Sequence, residues 1–255
     1  MAELIITEKP SAAKKIAEAL SDNKLNKEVS NGVTVFSLNH NGKDIKVVSA
    51  VGHLHTVAEK NKSFSYPVFD IEWKLASQVN KKAAFSKKYF DVIKKEAKKA
   101  KEFTVACDYD VEGEVIGWNA IRFACNQKDA NRMKFSTLVK QDIIKSYENK
   151  MKTIDWGQAK AGETRHFLDW LYGINLSRAL STSVRKAGSF KILSSGRVQG
   201  PALKIVVDKE KEIQAFKPKP YWQVQLKLNK DKINFEANHE KDKFWDEEEA
   251  NEVYA

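Results

Sequence analysis

Two short apolar runs, residues 4–7 and 103–107, each end at acidic residues and pass directly into a stretch of helix formers. The first runs through Glu8-Lys9-Pro10-Ser11 into residues 12–20, the second through Asp108-Tyr109-Asp110-Val111-Glu112-Gly113-Glu114 into residues 115–125. Runs of this length suit buried strands, and strand followed at once by helix is the repeating unit of an open α/β sheet. Residues 43–51 enter Gly52-His53 as a further strand, after a hairpin-like stretch with turns at Gly32 and Asn41-Gly42. Residues 133–135 predict one more short strand. Residues 140–149 predict a helix that the hydroxyl of Ser136 or Thr137 caps. Open sheets bind ligands beyond the carboxyl ends of their strands, which is where Glu8 and the acidic run fall.

From about residue 153 the pattern turns mostly helical, with candidates at residues 156–172, 176–186 and 198–215. Pro218 and Pro220 then stop helix formation, and two alternating runs, 221–228 and 232–238, predict a β-hairpin around Asn229-Lys230-Asp231. The expected organisation is three units: residues 1–152 as an α/β sheet domain, 153–216 as a helical domain and 217–255 as the incomplete start of a β-rich domain. About 40 residues are too few for an independent core, so the last unit must pack on its neighbours or be cut short.

The 255 residues carry 44 Lys and Arg against 34 Asp and Glu, a formal charge of +10. That suits a polyanion, but a lysine-rich soluble protein would show the same total, so distribution decides. Residues 74–102 hold ten lysines, yet Phe85, Tyr89, Phe90, Ile93 and Ala97 recur among them at helical spacing, which predicts a solvated amphipathic helix. Cys107 and Cys125 have neither zinc-site spacing nor disulfide density. No window reaches membrane-spanning length, and the expectation is a cytoplasmic protein.

Asp108, Asp110 and Glu112 sit two apart, so in an extended segment they share a side while Tyr109 points away. Crowded carboxylates repel, and a hard, oxygen-seeking dication such as Mg²⁺ relieves the repulsion. The competing reading is an acidic cap on the following helix, since carboxylates favour helix starts. Glu8, at the end of another strand, tilts the balance toward a Mg²⁺ site that handles phosphates, with Lys9 beside it as a cation.

These residues resemble a known family. Leu4-Ile5-Ile6-Thr7-Glu8-Lys9-Pro10-Ser11, Val51-Gly52-His53-Leu54 and the acidic run together look like the Toprim domain, a Rossmann-like open sheet, of type IA DNA topoisomerases. The Glu-Lys-Pro-Ser form is closest to archaeal topoisomerase I and topoisomerase III-like members. Residues 163–173, Glu-Thr-Arg-His-Phe-Leu-Asp-Trp-Leu-Tyr-Gly, and 193–203, Leu-Ser-Ser-Gly-Arg-Val-Gln-Gly-Pro-Ala-Leu, resemble the same family's helical DNA-binding domain.

The resemblance implies an amino-terminal part of a monomeric enzyme that relaxes negatively supercoiled DNA by transient cleavage of a single strand. It implies Glu8, Asp108 and Asp110 as metal and acid–base residues, Glu112 as a supporting ligand and Lys9 at the scissile phosphate. His53, Arg165, Asp169 and the run Ser194, Ser195, Gly196, Arg197, Val198 and Gln199 fall at positions that contact or position single-stranded DNA. Without the combined pattern, Arg165 and Asp169 read as a surface helix pair and Gly196 as a helix end. Two departures stand out. Val111 replaces the arginine of many bacterial members, and none of the seven tyrosines (Tyr66, Tyr89, Tyr109, Tyr147, Tyr172, Tyr221, Tyr254) sits in a Tyr-x-Arg-Thr-like context. The nucleophile that the family's chemistry requires is therefore expected outside this chain, which would bind Mg²⁺ and DNA without cutting. The alternatives are another Toprim enzyme, primase-like or nuclease, or a non-catalytic single-strand binder.

Overall fold

The computed structural model describes residues 2–255. In chain order the elements are β1 (Glu3–Thr7), α1 (Pro10–Leu20), β2 (Asn26–Ser30), β3 (Val33–His40), β4 (Lys43–Ser49), β5 (His55–Glu59), β6 (Ile71–Leu75), α2 (Ala76–Val79), α3 (Ser86–Ala97), β7 (Glu102–Ala106), α4 (Val111–Asn119), β8 (Asn131–Arg132), α5 (Lys140–Glu148), α6 (Trp156–Lys186), α7 (Gln199–Ala215), β9 (Gln225–Lys230), β10 (Ile233–Asn238) and α8 (Glu247–Tyr254). By internal packing the chain divides into two units, Met1–Gln199 and Gly200–Ala255.

The first unit is built on a six-stranded sheet in the order β2-β3-β4-β1-β7-β8. β1 lies parallel to β4 on one side and β7 on the other, so the carboxyl ends of β1 and β7 come side by side. The β2–β3 and β3–β4 links are two-residue turns at Asn31-Gly32 and Asn41-Gly42, all four residues with positive φ. Asn-Gly tolerates that geometry, which matches strand twist, so the local sequence sets these hairpins.

β1 alternates its burial between two cores. Leu4 and Ile6 join Val105 with Val92 and Ile93 of α3 and Ile116 of α4, whereas Ile5 joins Val47 with Ile16 of α1 and Ile143 of α5. Helices on both faces are why β1 is a continuous apolar run.

Several expectations are corrected. The basic stretch 74–102 is not one helix: it ends β6, forms α2 and a 3-10 turn at Lys81–Ala83, and only then becomes α3. The strand placed at 133–135 lies at Asn131–Arg132, although Met133 still donates its amide to the Val105 carbonyl at 2.9 Å. Neither Ser136 nor Thr137 caps α5 as its N-cap residue; Val139 holds that place, while the Thr137 hydroxyl bonds the Asp142 carboxylate. The two helices expected around Gly173 are one 31-residue helix, α6, capped by the Asp155 carboxylate on the Gln158 amide. Gly173 is tolerated mid-helix at a cost of about 1 kcal/mol relative to alanine. The helix expected at residues 115–125 begins instead at Val111 and passes into a π turn at Ala120–Ala124.

Of the second unit, β9 and β10 form an antiparallel hairpin whose turn residues, Asp231 and Lys232, both have positive φ. Trp222 and Phe244 pair backbone to backbone, and Phe244 is buried.

One buried charge was not legible. Glu3, fully enclosed at the start of β1, is bonded by Lys150 and Tyr147 at 2.6 Å each, by Lys43 at 2.7 Å and by the Thr104 hydroxyl. Burial pushes its carboxyl up, but the bonds from Lys150, Lys43, Thr104 and Tyr147 together outweigh burial and hold it at about 2. A depressed carboxyl contributes stability above its unfolded value, and that contribution is lost as pH falls from the ordinary carboxylate range toward 2. Urea midpoints between pH 5 and pH 2.5 should therefore fall more steeply for the wild type than for Glu3→Gln. Parallel slopes would contradict this.

Candidate functional site

The site grows from the crossing between β7 and α4. Asp110 is the N-cap of α4, its Oδ1 accepting the Gly113 amide at 2.7 Å. A side chain on Gly113 would not fit, because its Cβ would lie 2.2 Å from the Asp108 carbonyl oxygen. Beneath the turn, Arg132 is completely buried. Its guanidinium donates to the carbonyls of Cys107 (2.8 Å), Met133 (2.7 Å) and Asp108 (2.8 Å) and pairs with Glu114 at 2.7 Å. The other Glu114 oxygen accepts the Asp155 amide, so one ion pair joins the β7 end to the start of α6. The Tyr109 hydroxyl donates to the Asp155 carboxylate at 2.7 Å. That bond, the largest of several, holds the Asp155 carboxyl below its usual range.

Across the turn lies the end of β1. Lys9 places its ammonium 2.9 Å from Asp108 and 3.2 Å from Glu8, and these two partners, Asp108 first, raise its pKa. Ser11, Lys15, Asp108, Tyr109 and Thr137 line a cleft in front of Lys9. The loop after β4 returns beside Glu8: the Gly52 amide donates to the Glu8 carbonyl at 3.0 Å, and Val51 and Gly52 both have positive φ. For β-branched Val51 that conformation is strained, and strain of this kind gathers at functional sites.

The structure brings Glu8, Lys9 and Asp108 together but not the whole acidic set. Extended alternation ends at Asp110, so Glu112 lies in the first turn of α4 and faces elsewhere. Its Oε2 receives His53 Nε2 at 3.1 Å and His166 Nε2 at 3.0 Å, and its Oε1 lies 3.4 Å from Arg165. Burial, with the neighbouring His166 charge next, lowers the His53 pKa against the pull of Glu112. The chain of charge continues along α6. Arg165 approaches Asp169 at 3.7 Å, and Arg197 pairs with Asp169 through Nε at 2.6 Å. The Arg197 bond leads in holding the Asp169 carboxyl below its usual range.

The segment before Arg197 is fixed by two α6 serines one turn apart. Ser177 Oγ accepts the Ser195 amide and donates to its carbonyl, and Ser181 does the same for Leu193. Ser194 donates to Gln199 at 3.3 Å, Val198 is exposed, and a Cβ on Gly196 would meet open space. The structure joins Arg165, Asp169 and Arg197, each expected at a DNA-contacting position, in one network, and adds His166, Glu114, Arg132 and the two serines, which the sequence did not single out. His166 carried a signal, since it adjoins Arg165 in the resembling run; buried Arg132 carried none.

The hard oxygen donors fit Mg²⁺ in a limited way. Asp108 is half exposed, Asp110 keeps Oδ2 outside its cap bond, and Mg²⁺ needs only one or two carboxylates beside water. Among the described residues, the only three potential donors within 4.8 Å of one another are on His53, Glu112 and His166.

The Toprim domain family matches residues 3–138, more than half of the chain, and the DNA topoisomerase family matches residues 153–255. The chain belongs to the type IA DNA topoisomerase family. It is 48% identical to DNA topoisomerase 1 of Pyrococcus furiosus over 98% of its own length and 24% of that protein's. With DNA topoisomerase 1 of Methanocaldococcus jannaschii it shares 50% identity over 100% of its length and 33% of the relative's. It thus spans about a quarter to a third of these relatives. Full-length topoisomerase I of Thermotoga maritima superposes with a TM-score of 0.64 at 27% identity, covering 98% of this chain and 37% of that one. No helix among the described residues is long and apolar enough to cross a membrane.

Proposed function

We propose that this chain supplies the Toprim domain, residues 1–152, the helical DNA-binding domain, 153–216, and the start of a β-rich domain, 217–255, of a monomeric cytoplasmic enzyme. That enzyme relaxes negatively supercoiled DNA by transient single-strand cleavage and religation through a phosphotyrosine. The observation that carries the reading is the meeting of Glu8, Lys9 and Asp108 at adjacent strand ends, beside the charged row Glu112, Arg165, Asp169 and Arg197.

Asp108 and Asp110 would hold Mg²⁺, with Glu8 supporting it and Glu112, expected from the resemblance as a further support, turned instead toward His53 and His166; the bound ion would supply Lewis-acid stabilisation of phosphate charge. Lys9 neutralises charge that develops on the scissile phosphate, and Glu8 gives or takes the proton of the 3′ oxygen that leaves and re-attacks. Arg165 and Arg197 bind phosphates of the single strand, with Asp169 orienting both guanidinium groups. His53, Ser194, Ser195 and Gln199 contribute polar contacts to the strand, while Gly196 and Val198 let the backbone approach it. No tyrosine of this chain serves as nucleophile.

Fluorescence anisotropy with a labelled single-stranded oligonucleotide tests the DNA part. Affinity should fall steeply with rising salt, because the counterion release that drives binding becomes less favourable, and Arg165→Ala and Arg197→Ala should each flatten the log–log slope by roughly 1. A flat salt response in the wild type, or unchanged slopes in both variants, would overturn these contacts.

A further inference from the structure

The cluster of His53, Glu112 and His166 is left without a metal role by an oxygen-only Mg²⁺ site. Its three donor atoms come from three separate elements: the strained loop after β4, the first turn of α4, and α6. Both imidazole Nε2 atoms meet one and the same carboxylate oxygen, at 3.1 and 3.0 Å, while the other oxygen is engaged by Arg165. The two ring centroids stand 4.9 Å apart in an edge-on arrangement. Donors around a four-coordinate Zn²⁺, bonded at about 2.0–2.2 Å, lie a little over 3 Å from one another, close to the two histidine–glutamate separations, and all three donor atoms lie within 4.8 Å of one another.

We propose that His53, Glu112 and His166 form a binding site for a transition-metal dication, Zn²⁺ foremost, distinct from the Mg²⁺ carboxylates and with its fourth position open to water or a phosphate oxygen. The donor chemistry sets the preference. Imidazole suits Zn²⁺, whereas Mg²⁺ takes oxygen ligands and surrenders water reluctantly. Two histidines and a glutamate with one open position are also a donor set that zinc enzymes use. His53 makes no hydrogen bond except to Glu112, and its Nδ1 is buried without a partner, so its placement is governed by the Nε2 edge alone. An ion there ties α6 to the sheet unit and keeps Glu112 from joining Asp108 and Asp110.

The test uses the whole chain stripped of metal. Zn²⁺ calorimetry is run in excess Mg²⁺, with Co²⁺ as a spectroscopic probe of ligand geometry. The expected result is one equivalent of Zn²⁺ not displaced by Mg²⁺, a tetrahedral Co²⁺ spectrum, and affinity weakened at least 10–100-fold in His53→Ala and His166→Ala. The double variant Asp108→Asn/Asp110→Asn should bind Zn²⁺ as the wild type does, which separates this site from the Mg²⁺ reading. Displacement by Mg²⁺, an octahedral Co²⁺ spectrum in the wild type, undiminished Zn²⁺ affinity in folded histidine variants, or its loss in the aspartate variant would each overturn the proposal. Circular dichroism establishes folding. If a histidine variant unfolds, the wild-type Co²⁺ spectrum decides.

Discussion

Arg132→Met is expected to lower the unfolding free energy by about 3–5 kcal/mol, measured by urea denaturation, because it strands the carboxylate of Glu114 without its partner. The methionine stem fills most of the vacated volume, so the loss reports charge rather than a cavity. Three carbonyls lose their donor as well, including those of Cys107 and Asp108 at the end of β7. Adding Glu114→Leu removes the stranded charge and should recover part of the loss. The carbonyls and the Asp155 amide would still lack partners, so recovery stays incomplete. A single variant as stable as the wild type would refute the idea that this pair holds the β7–α4 crossing.

Gly113→Ala should destabilise the chain even though alanine is ordinarily the better helix former by about 1 kcal/mol. The new Cβ would stand 2.2 Å from the Asp108 carbonyl oxygen, a backbone atom that cannot swing aside as a side-chain tip could. Relief requires separating the first turn of α4 from Asp108, which also breaks the Asp110 cap on the Gly113 amide. Overpacking costs about 1–3 kcal/mol and a lost cap typically about 1, against the helix-propensity gain of about 1, so a net loss of about 2 kcal/mol is expected in chemical denaturation. Gly196→Ala, where a Cβ meets open space, serves as the control and should change stability little. A neutral or stabilising effect of Gly113→Ala would contradict the close approach.

What the sequence made legible follows from how local each determinant is. The Asn-Gly turns, the buried strand β1 and the helix α1 depend on neighbours within a few residues, and they appear where expected. Glu112 shows the limit of that reasoning. Two-residue spacing puts side chains on one face only while the chain stays extended, and the helix already starts at Val111, so Glu112 turns toward His53 and His166. The acidic-cap reading applies to Asp110, which caps α4 while keeping one oxygen clear of that bond. The continuous α6 was hidden by Gly173, whose weak helix preference is overridden by the helix on both sides. Glu3 and Arg132 were invisible for another reason: their partners lie far along the chain and meet only once the sheet has formed.

The central proposal is that this chain carries the Toprim part of a topoisomerase active centre and that none of its own tyrosines is the nucleophile. Incubation of the chain with negatively supercoiled plasmid and a labelled single-stranded oligonucleotide in Mg²⁺, followed by denaturing electrophoresis, tests it most directly. The account predicts a salt-sensitive complex with the oligonucleotide, no covalent protein–DNA adduct and unchanged plasmid topology. An adduct or relaxed plasmid would show that a tyrosine of this chain is catalytic, and nicking that leaves free ends would show a nuclease instead.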